Sequence, residues 1–304
     1  MLIAPFLFAC EKDIEIDVPV EEPEIVIEAT IENGMPPVVL VSRTRGFFEP
    51  TGPEDLANSY VDDASVFVNG EELLKVCTED VPEEFIPVLS ELIGLPASDL
   101  DDLPICAYVG LDMEGEVNTS YELVVEVDER VLTSITHIPN PVIPDSSYFR
   151  LWANSPQYGY VFTRIPDPDT LDNAYRVFTK RIGPNANNNP VDDVFYAPFG
   201  SAFIDEFFNG TNFEIGFQRG MPPNSSRPID NGDEAGFFEL GDRFVFKFCS
   251  TDESTYQFFR TFEQQLGTTG SPFAAPNNVI SNIEGGLGVW AGYGCHCDTI
   301  VAGQ

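Results

Sequence analysis

Alternating apolar and polar positions are the strongest pattern in this chain. In "PEIVIEATIENGMPPVVLVSRT" Ile25, Ile27, Ala29 and Ile31 alternate with Glu24, Glu28, Thr30 and Glu32, the period of two that marks a half-buried strand. Asn33-Gly34 supplies a turn, and Val38 to Thr44 reads as the returning strand. "DASVFVNG" (63–70) and "SYELVVEVDE" (120–129) repeat the alternation, with Tyr121, Leu123, Val125 and Val127 on one face. Short strands bounded by turn signals, without long helices, predict an all-β fold that begins with an immunoglobulin-like β-sandwich.

The second half continues in the same manner. "YGYVFTRIPDPDTLDNAYRVFTKRIG" predicts two strands around an acidic turn. "TNFEIGFQRG" aligns Phe213, Ile215 and Phe217, and "GDRFVFKFCS" aligns Phe244, Phe246 and Phe248. One helix is expected in "STDESTYQFFRTFEQQLG". Ser250 and Glu253 have capping-box spacing, Tyr256, Phe259, Phe262 and Leu266 form a stripe for burial, and Gly267 can end it. "NIEGGLGVWAGYG" mixes Gly with aromatics, as a closing strand tightly approached by its neighbours does. "HIPNPVIPD" (137–145) holds three prolines in nine residues and reads as a domain boundary. The expected division is therefore a sandwich over 24–140 and a second β-rich domain, sandwich or barrel-like, over 141–304.

Before Glu24 the pattern changes. Residues 1–9 read as the remnant of a signal peptide, an apolar run that stops at Cys10. Leu7-Phe8-Ala9-Cys10 is similar to a bacterial lipobox: Leu stands three before the cysteine and a small Ala directly before it, although Phe8 departs from the usual residue. A processing enzyme needs the small residue at the cut, and the thiol takes the diacylglycerol. Each buried lipid methylene contributes roughly 0.8 kcal/mol to anchoring. The competing reading of Cys10 is a buried structural thiol on a first strand. Residues 10–23 form an acidic tether without a core pattern, and its opening Glu11-Lys12-Asp13-Ile14-Glu15 resembles the surface-export signal of Bacteroidetes lipoproteins.

Charge narrows the function classes. The net charge is −35, with 50 acids against 15 bases. Such a surface repels phosphate backbones and excludes nucleic acid as a partner. Its plainest meaning is a solvated surface suited to salty surroundings. Between Cys77 and Cys106 an insertion (78–105) carries eight acids and no base, and Phe85, Leu89, Leu92 and Ile93 have helical spacing. A disulfide joining Cys77 to Cys106 would pin its base and stabilise by roughly 3–4 kcal/mol. Cys249 is expected to pair with Cys295 or Cys297, leaving one of the three odd.

Catalytic chemistry is nearly unreadable. The chain has two histidines, His137 and His296, and neither sits in a nucleophile–base arrangement. No zinc-protease, phosphate-loop or dinucleotide signature occurs, so neither an enzyme nor a cofactor is expected. "YGCHCDTI" offers Cys295, His296 and Cys297 as soft ligands, but strand neighbours point to opposite faces and zinc wants four. "DPDTLDN" brings Asp167, Asp169 and Asp172 together as weak calcium candidates. It lacks the central Gly and distal Glu of an EF-hand, so an ordinary acidic turn is the expectation. Phe47-Phe48 could line a ligand surface, though Phe in a β-protein is usually core.

Several segments taken together resemble an uncharacterised family of Bacteroidetes outer-membrane lipoproteins, domain-of-unknown-function family 4249. They are Cys10 with its tether, "IVIEATIENGMPPVVLVSRT", "VDDASVFVNG", "SYELVVEV" leading to "THIPNPV", "DPDTLDNAYRVF", "FIDEFFNG", "GDRFVFKFCSTDESTYQFF" and "NIEGGLGVW". The acidic insertion and the "CHC" ending depart from that pattern. The resemblance implies a lipid-anchored surface protein with an immunoglobulin-like domain and a second β-rich domain. Its implied partner is a TonB-dependent outer-membrane receptor, with an accessory role in substrate binding or uptake; no site residues come with it. The alternative from another class is a structural or adhesive subunit of an outer-membrane complex that binds no nutrient.

Overall fold

The computed structural model describes residues 22–46, 52–183, 191–221, 236–268 and 278–303. Cys10, the tether and Phe47-Phe48 lie outside the described residues. The first half comprises β1 (Ile25–Glu32), β2 (Val38–Arg43), α1 (Pro53–Ala57), β3 (Ser65–Val68), β4 (Glu71–Glu72) and β5 (Leu74–Cys77). It continues with α2 (Ile86–Ile93), α3 (Ala97–Asp102), β6 (Cys106–Val109), β7 (Thr119–Val127) and β8 (Arg130–Ile138). The second half adds β9 (Ser146–Leu151), β10 (Tyr158–Pro166), β11 (Ala174–Gly183), β12 (Ala202–Ile204) and β13 (Asn212–Phe217). It ends with β14 (Phe238–Glu239), β15 (Arg243–Thr251), α4 (Glu253–Thr268) and β16 (Leu287–Val301). Strands dominate, and the fold is all-β.

One eight-stranded sheet organises the molecule, in the order β12-β11-β15-β16-β1-β2-β6-β5. Two four-stranded sheets pack on it, β4-β3-β7-β8 beneath the first half and β9, β10, β13 and β14 beneath the second. The first sandwich core is aliphatic: Ile25, Ile27, Ile31, Val39, Val41, Val66, Leu123, Val125 and Leu132, with Trp290. The second is aromatic, with Phe217, Phe238, Phe244, Phe246, Phe248 and Tyr175 around Val161 and Ile165. Alternate residues of the long sheet turn to its other face. There α2, α3 and their flanks cover Val38, Leu40, Ala107 and Val109, while α4 covers Cys249, Val289, Ala291 and Tyr293. Strand β2 therefore buries four successive residues, Val38 to Val41.

The expected boundary at 137–145 separates β8 from β9 but does not divide the sheet. Strand β16 pairs in parallel with β1, Ala29 opposite Trp290, and sends Trp290 into the aliphatic core. Its glycines make this possible: a Cβ on Gly288 would lie 1.8 Å from the Ile27 carbonyl oxygen, and one on Gly294 2.0 Å from that of Pro139. The two strands predicted around "DPDTLDN" form, but in different sheets: β10 pairs with β9 and β13, and β11 with β15 and β12. Val161 and Ile165 of β10 meet Tyr175 and Val177 of β11 across the second core.

Helix α4 corrects the predicted cap. Asp252, not Ser250, holds its N-terminus: Oδ1 accepts from the Thr255 N–H at 2.8 Å and the Ser254 hydroxyl at 2.9 Å. Its Oδ2 accepts from the Thr136 hydroxyl and the His137 N–H, bolting the helix to β8. Ser250 instead accepts from the Val142 N–H. Of the predicted buried stripe, Tyr256 is buried and Phe259 half-buried, but Phe262 and Leu266 are exposed, and the helix runs through Gly267.

Candidate functional site on the outer face of the long sheet

Cys77 and Cys106 are bonded directly across β5 and β6, closing the base of the acidic insertion. Cys249 is bonded to Cys295 across β15 and β16, and among the described residues Cys297 is left unpaired and exposed. His296 points to the opposite face, its Nε2 3.2 Å from Asp298, so Cys295, His296 and Cys297 do not converge. Among the described residues no group of three His, Cys, Asp or Glu is placed to hold a metal.

The acidic turn has other work. Asp167 is buried, accepting from the Tyr175 hydroxyl at 2.5 Å and the Gly210 N–H at 2.9 Å. Burial and this bond push the Tyr175 phenol well up. Asn173 donates to Asp205, tying the same turn to the 205–210 turn. Asp169 packs beside Gly210, and Asp172 takes a left-handed backbone with φ 65°. Asp167 thus ties this turn to Tyr175 and Gly210, and no hydrogen bond to the Asp169 or Asp172 side chain joins it among the described residues.

A more informative constellation lies between the two covers of the long sheet. The insertion covers Val38, Leu40, Ala107 and Val109, α4 covers Cys249, Val289, Ala291 and Tyr293, and charged and aromatic side chains of β1, β11 and β15 lie on the same face of the sheet. Lys247 on β15 reaches Glu32 on β1, with Nζ 2.8 and 3.0 Å from the two carboxylate oxygens. In register terms this contact spans two strands and four positions along β16, since Lys247 faces Cys297 and Glu32 faces Tyr293. The sheet therefore coils strongly, bringing diagonal neighbours together. Lys180 on β11 reaches still further, to Glu91 on α2 at 3.0 Å. Phe178 and Phe195 flank the Lys247 ammonium, and Phe195 also contacts that of Lys180.

Arg176 and Glu28 occupy the next diagonal of the same slope. Arg176 lies in line with Cys249 and Cys295, and Glu28 with Val289: three strands and six positions apart. The Arg176 guanidinium stacks on Phe259 of α4 at 3.2 Å and lies 4.7 Å from Phe178. Its Nη1 donates to the Tyr293 hydroxyl at 2.6 Å. Glu28 is solvent-exposed. Tyr60, on the insertion side, is raised first by burial and then by the Glu28 charge. Burial also raises Tyr293, against the charge and hydrogen bond of Arg176.

Sequence reading did not find this constellation. Its one visible signal was "AYRVFTK", in which Arg176, Phe178 and Lys180 occupy the face opposite Tyr175 and Val177. A separate open cleft of about 450 Å³ beside β3 and β5 is lined by Asp62, Asp63, Glu72, Lys75 and Tyr108, and Lys75 there donates to the Asp62 carbonyl. Compared with known proteins, the chain matches no protein family and no curated protein.

Proposed function

We propose that this chain is a non-enzymatic, lipid-anchored protein of the outer-membrane surface, partnered with a TonB-dependent receptor and holding a small ligand for uptake. The observation that carries the reading is the join between the N-terminal stretch and the fold. An apolar run ends at Cys10, an acidic tether follows, and the first strand begins at Ile25. Two disulfides support an oxidising compartment, since such bonds persist outside the cytosol. No described helix is long and apolar enough to cross a membrane, so the lipid is the attachment in this reading. The ordered segments that resemble the outer-membrane lipoprotein family support the receptor as partner.

The test is Cys10→Ser, followed by membrane fractionation and labelled-palmitate incorporation. Loss of label and release from the outer-membrane fraction are expected; unchanged label and fractionation would end the anchor reading. Co-purification after mild detergent extraction tests the partner, a TonB-dependent barrel being expected. A second reading, a structural or adhesive subunit, draws on one observation. The paired turns 167–173 and 205–210 present Leu171 and Phe207 at 77% and 88% exposure, apolar side chains of the kind that contact other proteins. Recovery of an assembly or secretion machine in place of a barrel would favour it.

A further inference from the structure

The three most exposed large apolar side chains among the described residues are Phe207, Leu171 and Phe199, at 88%, 77% and 71%. All three border β12, the strand that ends the long sheet. Phe199 stands three residues before β12 and Phe207 three residues after it. Leu171 lies in the turn that leads into β11, whose Ala174 pairs with Ile204 of β12. Single exposed apolar residues are ordinary; their gathering along one edge is not. Helix α4 extends that edge. Its Glu263 accepts from the Gly200 N–H at 2.8 Å and the Ser201 hydroxyl at 2.7 Å. A Cβ on Gly267 would lie 3.4 Å from the Phe199 ring, and neighbouring Leu266 is exposed as well. The side chains are also firmly mounted. In the 205–210 turn Phe208 packs into the aromatic core against Phe203 and Phe213, while adjacent Phe207 stays in solvent. Asp205 is buried, its N–H donating to the Asn173 carbonyl at 3.0 Å and its carboxylate accepting from the Asn173 amide at 2.9 Å. Asp167 joins the same two turns through the Gly210 N–H. Apolar groups fixed before contact lose little freedom on binding.

Charge decides what meets them. The segments 167–173 and 199–210 carry five carboxylates and no base, and Asp169, Asp172 and Glu206 are exposed beside Leu171 and Phe207. These carboxylates repel an anionic membrane surface. A second copy of the chain, at a net charge of −35, is repelled too. At three residues β12 is too short to recruit a further strand, so the edge offers side chains rather than backbone. We infer that the β12 edge is a docking surface for a protein whose apolar sockets are rimmed by lysine and arginine. The sockets take Phe207 and Leu171, with Phe199 and Leu266 further along, and the bases meet Asp169, Asp172 and Glu206. This deepens the partner half of the proposed function and rests on the chain having a protein partner, whichever of the two readings supplies it.

The test uses the full chain in living cells, with the photoreactive amino acid p-benzoylphenylalanine replacing Phe207, Leu171 or, as a control, Ile135, an equally exposed position on β8. Irradiation is expected to join the Phe207 and Leu171 positions to one and the same protein. Mass spectrometry should map the adduct to a segment in which apolar residues are flanked by lysine or arginine. The Ile135 position should give at least about tenfold less of that adduct. Phe207→Ser combined with Leu171→Ser should lower recovery of the same protein at least about tenfold, the loss that goes with two interface anchors. Asp172→Lys combined with Glu206→Lys should lower it as well. All four side chains are exposed, so these variants keep the fold. Adducts chiefly to lipid, to a second copy of the chain, to a segment without bases or to nothing overturn the proposal, as does an equal yield from Ile135. If a TonB-dependent barrel co-purifies undiminished with the double serine variant, this surface is wrong and the receptor reading stands. If no barrel co-purifies but both positions join another protein through a base-flanked segment, the surface stands and the receptor reading falls.

Discussion

The core against β3, β7 and β8 is aliphatic, whereas the core against β9, β10 and β13 is aromatic and runs into buried charge. In the first, Ile, Val and Leu alternate along β1, β2 and β7, and the one large polar-tipped side chain borrowed from afar is Trp290, whose indole N–H donates to the Tyr121 carbonyl at 2.9 Å. In the second, Phe244 stands opposite Arg181, and Arg181 is fully buried against Asp242 at 3.0 Å. Asp192 lies beside this pair, binding the Arg219 guanidinium and accepting from the Arg181 N–H. The difference teaches how one sheet can serve two sandwiches. Shape alone sets the aliphatic register, while flat rings stack in several ways and a buried ion pair accepts only one partner. That the pair selects the register of the aromatic half is the hypothesis the following substitutions examine.

The largest effects should come from breaking each core at its special residue. Asp242→Ala leaves the Arg181 charge buried and the Glu239 N–H without its acceptor, for a loss of about 3–5 kcal/mol in urea unfolding. Arg181→Met combined with Asp242→Leu should recover more than half of that loss, because no charge then remains uncompensated. Trp290→Ala should cost a similar amount, about 3–5 kcal/mol, through the cavity it opens. Trp290→Phe should cost about 1–3 kcal/mol, through the lost indole hydrogen bond to the Tyr121 carbonyl and the smaller ring. The contrast is in the rescue: a paired replacement repairs the aromatic half, while only volume repairs the aliphatic half. If the Arg181/Asp242 double variant is as unstable as Asp242→Ala alone, the charge argument is wrong.

A middle-sized effect should appear where the two halves are bolted together. Asp252 caps α4 and also binds Thr136 and His137 of β8. Asp252→Ala should cost about 1–2 kcal/mol, the upper range for a cap. Asp252→Ser, which can keep the Thr255 bond but does not reach β8, should fall between the two. Equal stability of the Ala and Ser variants would mean that the cap contributes nothing and the tie to β8 everything.

Much of this architecture was legible in the chain because one face of each strand is buried. The runs "IVIEATIE", "YELVVEV" and "FVFKF" carry their period of two openly, and both disulfides fall on cysteines whose flanking strands could be recognised. What stayed hidden depends on contacts distant in sequence. The parallel pairing of β16 with β1 joins residues more than 250 positions apart, and nothing local to Trp290 marks it as part of the first core. The turn between β7 and β8 uses Asp128 and Glu129, both with positive φ, where a glycine would have announced it. Ser250 looked like the cap because the spacing to Glu253 fits, but the strand extends to Thr251 and passes the role to Asp252. The charged contacts on the outer face of the long sheet were hidden most deeply. Lys247 and Glu32 are ordinary polar positions on their own strands, and only the coil of the sheet brings them into contact.

The smallest expected effect concerns charge on the outside of the aromatic half, and it separates exposed pairing from the buried kind. Glu214 on β13 faces Arg164 across β10, and accepts from the Tyr148 hydroxyl at 2.6 Å and from Arg150 at 2.7 Å. The Tyr148 bond first, and the Arg150 bond second, lower its carboxyl to about 2 from an ordinary 4.5. A carboxylate with a depressed folded value contributes its stability above the unfolded value and loses it as pH falls through the folded one. The stability difference between the unaltered protein and Glu214→Gln should therefore be constant above pH 4.5, shrink between pH 4.5 and about 2, and vanish below. Because the group is exposed, added salt should shrink that difference further. The cost of Asp242→Ala, by contrast, should hardly respond to salt, since both of its partners are out of reach of the solvent. A carbon-13 titration of the Glu214 carboxyl with its midpoint near the ordinary value would show that the Tyr148 and Arg150 contacts do not persist in solution. The contrast between surface and core would then rest on Arg181 and Asp242 alone.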